Sequence, residues 1–135
     1  MVNPDDAKLP PNAVNAEHTA SSFQIRSKIW IERGDAVVLS EWRVSLLEAI
    51  DATGSLSRAA EALNVQYRKA WDRVKATEAE LGIRLLETSS GGADGGGSQL
   101  TPQAREVCRR FRQVTSGIQE LVGTRFAQEF IESNS

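Results

Sequence analysis

The residues best suited to chemistry lie in one run, Gln66-Tyr-Arg-Lys-Ala-Trp-Asp-Arg-Val-Lys75. In it Arg68, Lys69, Arg73 and Lys75 face a single acid, Asp72, a local net charge of +3 in a chain whose formal charge is −2. Guanidinium and ammonium groups concentrated in this way can read guanine edges in a major groove or neutralise phosphates. Gln66 carries an amide that reads adenine or caps a helix. A bare charged helix is most often only a solvated face. Here a short alanine-rich helix and a tight turn precede it, Ser57-Arg-Ala-Ala-Glu-Ala-Leu-Asn64, and that order is the plan of a helix-turn-helix.

A second candidate is the glycine loop between two short apolar runs, with Gly91, Gly92, Gly95, Gly96 and Gly97. No Lys-Ser/Thr pair follows it, and it sits between strands rather than opening a helix, which argues against a phosphate-binding P-loop. As the tip of a wing its bare amides would approach a DNA backbone closely, with Arg84 on the flanking strand adding a phosphate contact; a linker without a role is the plainer reading. Catalysis finds no constellation. The only histidine, His18, lies in the proline-containing amino-terminal segment, the acids Glu78, Glu80 and Glu87 read as solvated helix and strand charges, and no Cys/His cluster has metal-ligand spacing. Cys108, the single cysteine, reads as a small core residue. Trp30, Trp42 and Trp71 also read as core, with Trp71 a peg beneath the basic helix.

The elements that must position these residues can be read from period and punctuation. Residues 1–22 hold three prolines and no apolar period, which predicts a disordered arm. Residues 23–31 alternate with period two, predicting a half-buried strand, and Ala36–Leu39 a second one after the turn at Arg33-Gly-Asp. Ser40 is expected to cap a helix from Glu41 to Thr53, closed by Gly54. Ser57 is expected to cap the short helix, Arg58–Leu63, with Ala59, Ala60 and Leu63 inward. The basic helix is predicted over Tyr67–Leu81 with Gly82 as its C-cap. Ile83–Thr88 and Gln99–Leu100 are the expected wing strands. Thr101-Pro102 is a helix start, and the helix carries Val107, Phe111, Val114, Ile118 and Leu121 at a sustained three-to-four spacing, the pattern of a dimerisation seam.

The 135 residues suit one domain. An apolar fraction of 40% and a charged fraction of 25% are ordinary for a soluble globular protein. A lone cysteine fits a reducing compartment, no apolar run reaches membrane-spanning length, and the amino terminus has no signal-peptide pattern, so a cytoplasmic location is expected. The fold class expected is mainly α with a small β component, a winged helix-turn-helix over 23–135 with helix-turn-helix 54–81, wing 83–100 and a long carboxy-terminal dimerisation helix 102–131.

The order strand, helix, Gly54-Ser-Leu-Ser-x-Ala-Ala, then Gln66-Tyr-Arg-Lys-Ala-Trp-Asp72, resembles the DNA-binding domain of the molybdate-responsive ModE regulators, within the broader LysR-like winged-helix group. Leu86-Glu-Thr, the split glycines 91–97 and Leu100-Thr101 resemble the same family's wing, and the likeness covers about residues 23–122. The resemblance implies a homodimer on an imperfect palindrome, repressing molybdate-uptake genes. The DNA contacts it implies are Ser57, Gln66, Tyr67, Arg68, Lys69, Arg73, Arg84 and the wing glycines Gly91, Gly92, Gly95, Gly96 and Gly97. Full-length members sense molybdate through a carboxy-terminal β-domain, which a chain ending at Ser135 is not expected to contain. Molybdate therefore enters only as the family's effector, no cofactor is expected in this chain, and a separate sensor protein is a candidate partner. Two rival readings stand beside this one: a winged-helix module that binds protein rather than DNA, and an oxyanion carrier built around the glycine loop.

Overall fold

The computed structural model describes residues 23–89 and 97–131. The expected arm over 1–22 and the loop tip at Gly91, Gly92, Gly95 and Gly96 lie outside the described residues.

Two short strands, β1 (Trp30–Arg33) and β2 (Ala36–Ser40), pair antiparallel around Gly34, whose φ of 60° a glycine adopts freely. The predicted strand over 23–31 is largely absent, since residues 23–29 pair with nothing regular and only the last two positions enter β1. Phe23 (73% exposed), Ile25 and Ile31 stand in solvent. Alternation alone supplied no partner strand, and a strand without a ladder has its backbone groups unpaired.

Ser40 caps α1 (Glu41–Thr53), its hydroxyl accepting the Arg43 N–H at 3.1 Å, and Gly54 closes the helix at φ 75°. Helix α1 buries Trp42, Arg43, Val44, Leu46, Leu47 and Ile50, so it is covered on nearly every side. Next come α2 (Leu56–Ala62) and α3 (Tyr67–Leu81). The wing strands β3 (Leu86–Ser89) and β4 (Gly97–Leu100) pair antiparallel in register Leu86 with Leu100 and Ser89 with Gly97. The expected strand Ile83–Thr88 therefore starts three residues later, because Ile83 to Leu85 turn the chain from α3 into the wing.

Thr101 caps α4 (Pro102–Thr115), accepting the Ala104 N–H at 3.1 Å, with Pro102 in the first turn. The long helix then breaks. Ser116 is extended, at φ −60° and ψ 130°, and Gly117 takes φ 78° before α5 (Ile118–Phe126), which passes into a π turn over Ala127–Ile131. Glycine supplies the left-handed step that ordinary residues resist.

The break divides the expected dimerisation seam. Ala104, Cys108 and Phe111 enter the domain's own core with Leu85, Leu86 and Leu100, and Val107 packs against it. Phe111, at 1% exposure, thus belongs to the core of its own chain rather than to a free seam, and Cys108 is buried as expected, with burial pushing its thiol up to about 11. Val114 (63%) and Leu121 (46%) stand in solvent, and Ile118 is half-buried. Arg112 fastens α4 to α1, with Nη1 on Glu41 at 2.6 Å and Nη2 on Glu48 at 2.7 Å. Phe111→Ala is expected to lower stability by about 3–5 kcal/mol in urea unfolding, the usual cost of emptying a buried phenylalanine site; a loss below about 1 kcal/mol would return Phe111 to an interface role.

Candidate nucleic-acid interface

Helix α2 begins two residues earlier than expected. Ser55, not Ser57, is its N-cap, accepting the Arg58 N–H at 3.1 Å. Ser57 is then an exposed residue inside the first turn, and Leu56 is buried with Ala59 and Ala60. The reason is that Leu56 must point inward, and capping by Ser55 sets it in register with Ala59 and Ala60 at helical spacing.

The turn between α2 and α3 is closed by backbone bonds. The Val65 N–H reaches the Ala60 carbonyl at 2.9 Å and the Asn64 N–H reaches the Glu61 carbonyl at 3.0 Å, a Schellman closure. Asn64 occupies its left-handed position at φ 56°, which asparagine tolerates better than other side chains. Gln66 is the N-cap of α3; its side chain is exposed and makes no capping bond.

Helix α3 seats Ala70, Val74 and Thr77 in the core. Its orientation is held by Arg43, a residue the sequence pattern passed over as one more position in a helix. The guanidinium is buried (6% exposed), and Nη1 donates to the Val37 carbonyl at 3.0 Å and to Thr77 Oγ1 at 3.2 Å. Thr77 in turn donates to the Arg73 carbonyl at 2.8 Å. Strand β2, α1 and α3 thus meet at one buried cation, which must be hydrogen-bonded to be tolerated there.

On the outer side, Gln66, Tyr67 and Arg68 are exposed at the amino end of α3. Arg68 Nε lies 3.5 Å from Asp72 with 84% of its side chain accessible, a loose pair of little energetic weight that a phosphate or guanine can displace. Lys69 is half-buried, its ammonium 5.6 Å from the Trp42 ring, and Arg73 is half-buried too, so these two sit at the margin of the face rather than at its centre. Trp71 corrects the expectation of a core peg. It is 37% exposed, with the Lys75 ammonium 4.5 Å above its ring. Ala70, at 0% exposure, takes the buried place instead.

The wing is tied to α1 by a small polar clamp. Ser98 donates its N–H to the Gly54 carbonyl at 2.8 Å, and Leu100 donates to Asp51 Oδ1 at 3.1 Å. The Arg105 fork grips Asp51 through Nε at 3.0 Å and Nη2 at 3.0 Å, which holds the Asp51 carboxyl below its usual range, partial burial opposing and the Leu100 N–H assisting. A Cβ on Gly97 would come within 2.8 Å of the Gly54 carbonyl. Gly97 is therefore the close-approach residue at the root of β4 rather than part of the tip. Arg84 is exposed beside the wing, and its carbonyl accepts Thr101 Oγ1 at 2.8 Å. Glu78, expected to be solvated, instead accepts the Leu85 N–H at 2.8 Å and the Lys75 ammonium at 3.1 Å; burial raises its pKa, but these bonds outweigh it and the net shift is downward.

Residues 43–105 match the family of bacterial regulatory helix-turn-helix proteins of the lysR type. The match begins at Arg43 and ends at Arg105, spanning both helices of the turn and the wing. Over that stretch the chain is similar to the LysR-type helix-turn-helix domain. Its sequence relatives include ModE proteins. The molybdenum transport protein ModE of Azotobacter vinelandii is 36% identical over 94 residues, covering 70% of this chain and 34% of the relative. The DNA-binding transcriptional dual regulator ModE of Escherichia coli is 37% identical over 69 residues, covering 51% of this chain and 26% of that protein. The chain thus spans about a third or less of the length of these relatives. A crystal structure of CbnR, a LysR family transcriptional regulator, superposes with a TM-score of 0.50 at 26% identity, covering 64% of this chain and 28% of that one. The BenM DNA-binding domain in complex with catB site 1 DNA has a TM-score of 0.50 at 23% identity, over 64% of this chain and 92% of that chain, which supports the shared fold. No helix among the described residues is long and apolar enough to cross a membrane.

The wing clamp gives a pH signature. The folded pKa of Asp51 lies below the ordinary 3.8, so its contribution is complete above that value and is lost as the pH falls through the folded pKa. Asp51→Asn is expected to lower the Tm by a few degrees at neutral pH, with the gap to the parent protein closing below pH 3.8. A gap that stays constant through acidification would show that the carboxylate charge does not hold the wing.

Proposed function

We propose that this chain is a sequence-specific DNA-binding transcriptional regulator of molybdate-transport or molybdenum-metabolism genes, acting as a homodimer on a palindromic operator. The observation that carries the reading is the amino end of α3, where Gln66, Tyr67 and Arg68 stand exposed on a domain whose sequence relatives are ModE regulators. In a dimer the two α3 helices would enter successive major grooves about 34 Å apart. Gln66 and Arg68 would meet base edges, Ser57, Lys69, Arg73 and Arg84 the phosphates, and the loop beyond Ser89 the flanking backbone. Binding to phosphates would supply most of the affinity and a steep salt dependence. Occlusion of a promoter by the bound dimer would then repress transcription.

Two helices carry the exposed apolar residues that a second copy would cover. Val114 on α4 and Leu121 on α5 are the exposed members of the seam, followed by Phe130 (59%) and Ile131 (53%), with Phe126 and Phe130 stacked at 5.3 Å. Val114→Asp combined with Leu121→Asp is expected to convert the protein to a monomer in sedimentation velocity without altering its circular dichroism. Unchanged sedimentation of that variant would exclude this surface as the dimer interface.

DNA binding itself is measured by gel shift and fluorescence anisotropy on promoters of molybdate-transport genes, with and without molybdate. Arg68→Ala is expected to weaken specific binding at least about tenfold. Lys69→Ala is expected to flatten the slope of log K against log salt by about 1. Absence of any sequence-specific shift at moderate salt would overturn the proposal, and survival of a protein partner's binding in the same variants would favour a protein-interaction module.

A further inference from the structure

We propose that Tyr67 and Trp71 form an aromatic ridge that reads the 5-methyl groups of thymine in the major groove. This rests on the DNA-binding reading above and deepens it, adding an apolar element of operator choice to the polar one at Gln66 and Arg68.

Tyr67 (53% exposed) and Trp71 (37% exposed) are four residues apart on α3, and side chains at that spacing lie on one helix face a single turn apart. The core stripe of α3, Ala70, Val74 and Thr77, runs beside them and does not include them. Two large aromatic groups left in solvent on a helix otherwise rich in charge call for a binding partner. The charge around them favours a polyanion: Arg68 stands between them in sequence, and the Lys75 ammonium lies over the indole at 4.5 Å.

Trp71 is also held in place. Glu78 accepts the Leu85 N–H at the wing root with Oε2 at 2.8 Å and the Lys75 ammonium with Oε1 at 3.1 Å. From the wing root, Leu85, Glu78, Lys75 and Trp71 thus form a continuous line of contacts along one flank of α3. A ring already fixed in this way loses little conformational freedom on binding. Thymine alone among the bases presents a methyl group in the major groove, and each methyl removed from water against an aromatic surface is worth about fourfold in affinity.

The test starts with the full chain and a random-sequence duplex pool, from which bound duplexes are enriched. The enriched duplex is resynthesised with deoxyuridine replacing each thymine in turn, which removes only the methyl. At one or two positions per half-site the parent protein is expected to bind the deoxyuridine duplex about fourfold more weakly. In Tyr67→Ala or Trp71→Ala that penalty is expected to vanish at the matching position. Tyr67→Ala, at the exposed first position of the helix, carries the comparison by itself if Trp71→Ala fails to fold. An enriched duplex insensitive to every methyl, or a penalty unchanged in both variants, overturns the aromatic ridge and leaves the DNA-binding reading standing. A pool that yields no enriched duplex overturns the DNA-binding reading and the ridge together.

Discussion

A helix whose apolar residues span well over half of its circumference must be covered by several neighbours, and α1 is such a helix. Trp42, Val44, Leu46, Leu47 and Ile50 are all at or below 3% exposure. They point in several directions, so no single neighbour can cover them. The first hairpin, the helix-turn-helix, the wing and α4 each take one part of that surface, and their mutual orientation follows from sharing it. Desolvating this much apolar surface is the main favourable contribution to the fold, and it makes the placement of α3 a by-product of covering α1.

Apolar packing fixes distances better than angles, and the directional contacts around α1 supply the angles. Arg43 hydrogen-bonds across to β2 and to Thr77, so α3 cannot rotate about its axis without stranding a buried guanidinium. Asp51 and the Gly54 carbonyl hold β4, so the wing cannot slide along the end of α1. Gly97 allows the backbone approach that this contact needs. Helix α3, through Thr77, and the wing are thereby tied to opposite ends of one helix.

The carboxy-terminal region follows a different logic. The first three turns of α4 complete the core of their own chain, and apolar residues become exposed only near and beyond the Ser116–Gly117 break. A continuous helix would have kept its apolar face pointing along the direction set by Phe111. The left-handed step at Gly117 turns α5 and the stacked Phe126 and Phe130 onto a new line.

Much of this architecture was legible in the residues. Ser40, Gly54, Gly82 and Thr101 marked helix ends correctly because capping is a local matter, settled by one side chain and the next few amides. The helix that carries the basic run, Tyr67–Leu81, was legible as well. Other features were decided only by tertiary structure. Trp71 read as core and is exposed, while Phe111 read as an interface residue and is core. Residues 23–29 joined no strand ladder among the described residues, and Arg43, unremarkable in sequence, is the buried tie of three elements. Periodicity tells which residues share a face. It cannot tell what covers that face, since burial depends on groups distant along the chain, and neither an indole nor a guanidinium carries its own environment in its spacing.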